Sequence, residues 1–257
     1  MLMRDHLDTP WQVSATVDPA EVAKFTALAE EWWNPDGRFR PIHKFNPTRR
    51  DYILSRIGRH FGMDPENENG LDGIRILDVG CGAGLLCEPL AERGADVVGI
   101  DATARNIEVA RWHAKKSGVK VHYRHSLAAH LAAANEQFDV VLNTEVIEHV
   151  RNPQQLMREC CGLVRPSGMM VVATLNRTLR AYLLAIVGAE YVLRWLPKGT
   201  LDWRRFLRPE EVAAMLRPHG LAVTEEVGVS YNPLTGRWGL SGNTNVNYLL
   251  LASRGSP

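Results

Sequence analysis

Apolar positions recur at helical spacing in the first third of this chain and at mixed helical and strand spacing after Arg75. Behind Asp18-Pro19, Val22, Phe25, Ala29 and Trp32 share one helical face, and Asn34-Pro35-Asp36-Gly37 ends the run. A second helix is expected to open at Asn46-Pro47, with Ile53, Leu54, Ile57 and Phe61 on one face and Gly62 closing it. Residues 1 to about 17 carry no periodicity and are expected to be mobile. The polar stretch 64–73 reads as a short linker.

From Arg75 onward short apolar runs alternate with amphipathic ones. Strands are expected at 75–79, 96–100, 119–124, 138–143 and 169–174, with helices at 85–93, 104–117 and 153–164. A further helix opens at Pro209, and 221–229 and 246–253 read as an antiparallel pair. This alternation predicts an α/β fold, a parallel sheet covered by helices on both faces. Ligands of such sheets lie at the carboxyl ends of the strands, near the switch point beside the first strand. Asp78, Asp101, Ser126, Asn143 and Asn176 all fall near those ends. No internal repeat or low-complexity tract interrupts the pattern.

The first strand runs straight into Gly80-Cys-Gly-Ala-Gly84. Glycine at every second position lets the backbone approach a ligand and turn tightly. Leu85 stands where a dinucleotide fingerprint has its last glycine, so a pyrophosphate fits less well. Asp78, just before the loop, repels phosphate but suits a cation. Asp101 closes the second strand about 20 positions after the first glycine, placed to accept hydrogen bonds from ribose hydroxyls. A positively charged nucleoside without phosphate matches this set.

Composition narrows the picture without changing it. With 257 residues, 45% of them hydrophobic and 23% charged, the chain suits one decorated α/β domain. A net charge of +1 makes no strong electrostatic case for nucleic acid, whose binding usually shows as a clustered basic face, though it does not forbid a local patch. Cys81, Cys87, Cys160 and Cys161 have neither C-x-x-C nor zinc-ligand spacing and read as free thiols of a reducing compartment. The opening Met-Leu-Met-Arg-Asp-His lacks the marks of a signal or transit peptide, which points to the cytoplasm.

A second constellation follows the fourth strand, at Thr144-Glu-Val-Ile-Glu-His149. If residues 145–149 take one helical turn, Glu145, Glu148 and His149 share a face above the ligand. Two carboxylates and an imidazole suit a divalent cation, Mg²⁺ or Mn²⁺ by the oxygens, Zn²⁺ by the histidine. The same residues also suit a general base, a pocket wall or a solvated helix face. The residues alone leave these open.

D-x-G-x-G-x-G with an acidic residue after the next strand resembles the class I S-adenosylmethionine-dependent methyltransferases. More specific stretches, Glu31-Trp-Trp-Asn34, Pro41-Ile-His-Lys-Phe-Asn-Pro-Thr-Arg49, Ala173-Thr-Leu-Asn-Arg177, 187–191, 196–200 and Tyr231-Asn-Pro233, resemble the ubiquinone-biosynthesis O-methyltransferases over about residues 23–252. The resemblance implies a Rossmann-like fold with N-terminal helices and a mostly parallel, seven-stranded sheet whose last strand is antiparallel. It implies one methyltransferase domain over 1–257, with a helical extension at 1–74 and a core at 75–254 that carries an apolar insertion at 177–206. It further implies S-adenosylmethionine as methyl donor, a polyprenylated phenol or quinol as substrate, and association with other enzymes of quinone biosynthesis. By position, Arg49, Gly80, Asp101 and Thr144 match cofactor-contacting residues, alongside Asp78, Gly82 and Gly84 of the loop itself. Glu145, Glu148 and His149 match a metal-binding motif and are the catalytic candidates. Two positions depart from the family pattern: Ala173 replaces the usual serine, and Leu201 a usual histidine.

Residues 179–196 are apolar but interrupted by Arg180, Glu190 and Arg194, too charged for a membrane span. With Lys198, Arg204, Arg205 and Arg208 beside it, the stretch 179–208 reads either as a peripheral contact with the inner face of an anionic membrane or as a lid packed on the N-terminal helices. Other functions weighed against this one are a metal-independent methyltransferase of another small phenol or acid, a non-catalytic nucleoside-binding module, and an NAD-dependent dehydrogenase. The acidic-histidine cluster speaks against the module and the glycine spacing against the dehydrogenase.

Overall fold

The computed structural model describes residues 14–67, 69–182, 202–232 and 237–255. Its strands are β1 (Arg75–Val79), β2 (Asp96–Asp101), β3 (His122–His125), β4 (Phe138–Thr144), β5 (Val164–Leu175), β6 (Leu221–Asn232), β7 (Arg237–Ser241) and β8 (Asn247–Arg254). They form one sheet in the order β3-β2-β1-β4-β5-β8-β6-β7. The first five run parallel, β8 is antiparallel to β5 and to β6, and β7 is antiparallel to β6. Strand order reverses direction at β1, so the crevice above its carboxyl end is open between the loops of β1 and β4.

The apolar strands are unbroken because both faces are buried. Leu77 and Val79 of β1 pack with Val98, Ile100, Val141 and Ile147 on one face. On the other, Ile76 meets Val97, Val140 and Val171 together with Tyr52, Ile53 and Ile57 of helix α2 (Arg40–Phe61). Ile53 and Ile57 are fully buried, so truncating either to alanine costs about 2–5 kcal/mol. The N-terminal helices are therefore part of the core that supports the site. Arg56 reinforces this seam with two hydrogen bonds of 2.6 Å to Glu225 of β6.

The remaining helices are α1 (Pro19–Leu28), α3 (Cys87–Ala91), α4 (Ala104–Ser117), α5 (Ala128–Ala133), α6 (Pro153–Leu163), the single turn α7 (Leu179–Ala181) and α8 (Pro209–Leu216). Asp18 caps α1 by accepting from the Ala20 amide at 3.1 Å, and Gly62 closes α2 in the left-handed region. None of the described helices is long and apolar enough to cross a membrane.

Several expectations are corrected. Among the described residues the sheet has eight strands, not seven, because β7 pairs with β6 at its edge. Helix α2 starts six residues before Asn46, with Pro41 at its first turn and Pro47 inside it. Helix α5 is short and alanine-rich, which hid it from periodicity. Residues 14–17 are packed, not loose: Thr16 and Val17 are buried, and the Thr16 carbonyl accepts from the Arg151 amide at 3.0 Å. The stretch 64–73 is likewise tied down, with Leu71 fully buried and its amide bonded to the Arg93 carbonyl. Residues 1–13 and most of the apolar insertion, 183–201, including Leu201, lie outside the described residues.

Candidate active site

A cavity opens at the carboxyl ends of β1, β2 and β4, and the glycine loop is its floor. Gly80, Gly82 and Gly84 have φ values of +72°, +54° and +88°, in the region side chains disfavour. The Gly80 and Cys81 amides donate to the Ile100 carbonyl at 2.8 and 3.0 Å, which ties the loop to β2. A Cβ on Gly82 would lie 2.7 Å from the Trp32 ring, so the loop needs glycine there for space as well as for conformation. Burial pushes the Cys81 thiol up to about 11, which suits a small filler and not a nucleophile.

Asp101 is held from three sides. Its Oδ2 accepts from the Gly82 amide at 3.0 Å, and its Oδ1 from the Thr103 amide at 2.7 Å and the Asn106 amide group at 3.3 Å. Burial raises its pKa and these bonds pull it back. Trp32 donates from Nε1 to Asn106 Oδ1 at 3.0 Å and stacks on Phe39 with ring centroids 3.9 Å apart. A pre-oriented acidic residue beside an aromatic face is suited to a ribose and its base.

Asp78 and Arg49 form the opposite charged end. Asp78 is buried; Cys87 donates to its Oδ2 at 3.3 Å, while Oδ1 has no partner. Burial raises its pKa to about 7 despite the Cys87 thiol and the Arg49 charge. Arg49 donates to Asn46 and sits over the Phe45 ring, with Nη1 3.6 Å from Glu145 Oε1. Its Nε and Nη1 lack hydrogen-bond partners although buried. A guanidinium and a carboxylate on one cavity wall, each with buried atoms that lack a hydrogen bond, fit the carboxylate and ammonium of an amino acid, the methionine end of S-adenosylmethionine.

The wall after β4 differs from expectation. Only residues 147–149 form a helical turn, of the tighter three-residue kind, and Glu145 precedes it with φ of +58°. The three candidates therefore do not share one face. Thr144, Glu145 and His149 line the cavity, and Glu148 does not. Glu148 is buried with neither oxygen hydrogen-bonded, and burial followed by the Glu145 charge raises its pKa to about 7. His149 Nδ1 lies 2.7 Å from Glu21 Oε2 of α1, with the Phe25 ring edge-on at 5.2 Å. Burial opposes ionisation of Glu21, but hydrogen bonds from His149 and Lys24 outweigh it and hold the carboxyl at about 2.

Of the other strand-end residues, Ser126 lines the cavity. Asn143 is fully buried and does not line it, and Asn176 ties β5 to the Thr244 carbonyl at 2.9 Å. Glu21 and Asn106 join the site with no motif to announce them, and Trp32 joins it from the Glu31-Trp-Trp-Asn34 stretch. The helical face of Trp32 was legible, but its partner 74 residues away was not.

A mostly parallel sheet in this order, with the glycine loop after β1 and an acidic residue closing β2, defines a class I S-adenosylmethionine-dependent methyltransferase. Residues 77–172 match the family model for a methyltransferase domain. The fold is similar to magnesium protoporphyrin IX methyltransferase from Synechocystis PCC 6803, at 16% identity and a TM-score of 0.58 over 89% of this chain and 99% of that one. It is also similar to the PH0226 protein from Pyrococcus horikoshii OT3, at 18% identity and a TM-score of 0.60 over 90% and 98%. The sequence is 53% identical to the ubiquinone biosynthesis O-methyltransferase of Chelativorans sp. (strain BNC1), over 93% of this chain and 94% of that protein. It is 54% identical to that of Sinorhizobium medicae (strain WSM419), over 93% and 96%. The chain belongs to the ubiquinone biosynthesis O-methyltransferase family.

Proposed function

We propose that this chain methylates hydroxyl groups of polyprenylated catechol and benzoquinol intermediates of ubiquinone biosynthesis, 2-polyprenyl-6-hydroxyphenol and 3-demethylubiquinol. One observation carries the reading: the cavity that holds Asp101 and the glycine loop is continuous with Glu145 and His149 and has an apolar wall of Val17, Val22, Phe25 and Ile42. A methyl donor and an apolar phenol therefore meet in one space. Bound there, S-adenosylmethionine supplies an electrophilic methyl group. Asp101 accepts from the ribose, Asp78 and Arg49 hold the amino-acid end, and the backbone at Gly80, Gly82 and Thr144 shapes the remaining surface, while Gly84 does not line the cavity and leaves room for the Tyr123 hydroxyl behind the loop.

A phenol has a pKa of about 10, so its proton must be removed for attack. Glu145, Glu148 and His149 would hold a divalent cation such as Mg²⁺. The unpartnered, buried oxygens of Glu148 support that reading, as does the neighbouring Glu145 charge that acts on it. A cation chelated by the catechol would lower its pKa and fix the angle of attack. Among the described residues no three such side chains already stand as a metal cluster, so these must turn to meet one. A second reading rests on the Glu21–His149 contact. A carboxylate on Nδ1 requires the proton there, which leaves Nε2 free to accept the phenol proton.

The chain is read as a single catalytic domain, since Tyr52, Ile53 and Ile57 share a core with the sheet. Peripheral membrane contact through 179–208 is supported by exposed Leu179, Tyr182 and Trp203 at its two described ends, with Arg180, Arg204 and Arg208 exposed beside them. Co-sedimentation with anionic vesicles is expected to fall when the segment is deleted.

The deciding experiment is methyl transfer from S-adenosylmethionine to a short-chain prenylated catechol, with Mg²⁺ and with chelator. Metal-dependent product supports the cation site, and metal-independent product supports His149 as base. No product despite tight cofactor binding overturns the substrate assignment.

A further inference from the structure

Behind the glycine loop, away from the cavity, three side chains that the activity does not call for are stacked together. Trp33 donates from Nε1 to the Ala83 carbonyl at 3.0 Å, between Gly82 and Gly84. Its ring lies flat on His113 of α4, with centroids 3.4 Å apart and planes 2° from parallel. The His113 Nδ1 faces both oxygens of Glu88, at 2.8 and 2.9 Å, and Ser117 Oγ lies 3.2 Å from the same nitrogen. Glu88 is buried in the first turn of α3, directly after the loop, and its amide donates to the Gly84 carbonyl at 3.1 Å.

We propose that Trp33, His113 and Glu88 are positioning residues for the cofactor loop. A loop with three left-handed glycines has many other conformations open to it, because glycine is the least restricted residue. Fixing one of them before binding removes an ordering cost from cofactor affinity. Ala83 offers the loop's carbonyl, and the Trp33 N–H is a donor whose direction is set by the stack on His113. Glu88 holds that ring in turn, since its two oxygens accept the Nδ1 proton from a fixed α3. The neighbouring Trp32 meets the loop from the cavity side, against Gly82 and through Asn106 to Asp101. Consecutive tryptophans thus grip the loop from both sides, and the segment that carries the substrate wall is registered to the cofactor.

Trp33→Phe keeps an aromatic ring for His113 and removes only the donor. Calorimetric titration with S-adenosylhomocysteine is expected to show affinity weakened roughly three- to tenfold, the worth of one hydrogen bond. In the assay, the KM for S-adenosylmethionine rises by a similar factor and kcat changes by less. A purely structural role would lower the melting temperature and leave affinity alone, so wild-type affinity in Trp33→Phe overturns the proposal. Glu88→Ala and Glu88→Gln supply a second test should that variant fail to fold. The glutamine carbonyl still accepts from His113, so Glu88→Gln is expected to keep cofactor affinity while Glu88→Ala loses it. Equal affinity in the two overturns the proposal. Binding of the cofactor product is read directly, so none of these outcomes depends on the phenolic substrate or on a metal.

Discussion

Glu21 Oε2 sits 2.7 Å from His149 Nδ1, joining the first helix to the turn after β4 across 128 positions of sequence. The contact gives His149 a fixed tautomer and places an ionised carboxylate beside the reacting space. In metal-stripped enzyme, Glu21→Gln is expected to lower kcat roughly 10- to 100-fold if His149 acts as base. Steady-state assays with chelator and with saturating Mg²⁺ check this. Equal activity of variant and wild type in chelator would exclude the base reading.

Asp78 has a pKa of about 7 in the free protein against an ordinary 3.8. Since the folded value lies above the unfolded one, this carboxyl favours folding most at low pH, and the contribution is lost as pH rises from about 4 to about 7. A cofactor ammonium that met the unpartnered Oδ1 would stabilise the charged form. Binding of S-adenosylmethionine therefore releases a proton near neutrality, and affinity rises with pH up to about 7 and then levels. Calorimetry in buffers of different ionisation enthalpy measures the release. Asp78→Asn should bind more weakly and release none.

Gly82→Ala combines a φ of +54° with a Cβ 2.7 Å from the Trp32 ring. The strain and the displaced indole are expected to cost about 1–3 kcal/mol of stability and to weaken S-adenosylhomocysteine binding. Thermal melts and titration calorimetry report the two effects separately. Unchanged affinity would mean that Trp32 moves aside without consequence.

Glu148 is buried with its pKa raised from 4.5 to about 7. In the metal-free protein its charge costs stability increasingly as pH climbs from about 4.5 to about 7, and the cost levels off above that. Glu148→Gln removes the charge, so its melting temperature should exceed that of wild type at pH 8 and converge with it at pH 5. Mg²⁺ should raise the wild-type melting temperature and not that of the variant. Stabilisation of both by Mg²⁺ would place the cation elsewhere.

The alternation of strands and helices after Arg75 was legible because the central stretches of β1, β2, β4 and β5 are buried on both faces and are mostly apolar. Helix α4 matched its expected bounds because Gly118 closes it in the left-handed region. Less visible were β7, an edge strand with a mixed pattern, and α2, whose early start follows Pro41 and whose path runs through Pro47. The assumed helical turn at 145–149 failed on one torsion angle, the positive φ of Glu145. No residue-type rule announces such an angle for a glutamate.

The strand–helix alternation, the glycine loop and the placing of Asp78 and Asp101 near strand ends could all be read from the chain alone. Each depends on near neighbours: glycine spacing, a carboxylate at a strand end, and apolar runs of fixed period. Which side chains meet across the cavity depends instead on the packing of segments far apart in the chain. The Trp32–Asn106 and Trp33–His113 contacts join the N-terminal segment to α4, and Glu21–His149 and Arg49–Glu145 join α1 and α2 to the loop after β4. The packing of α1 and α2 onto the sheet sets those distances, and no local pattern encodes them. The same packing buried Asp78 and Glu148, and with burial came the raised pKa values on which binding and pH dependence turn.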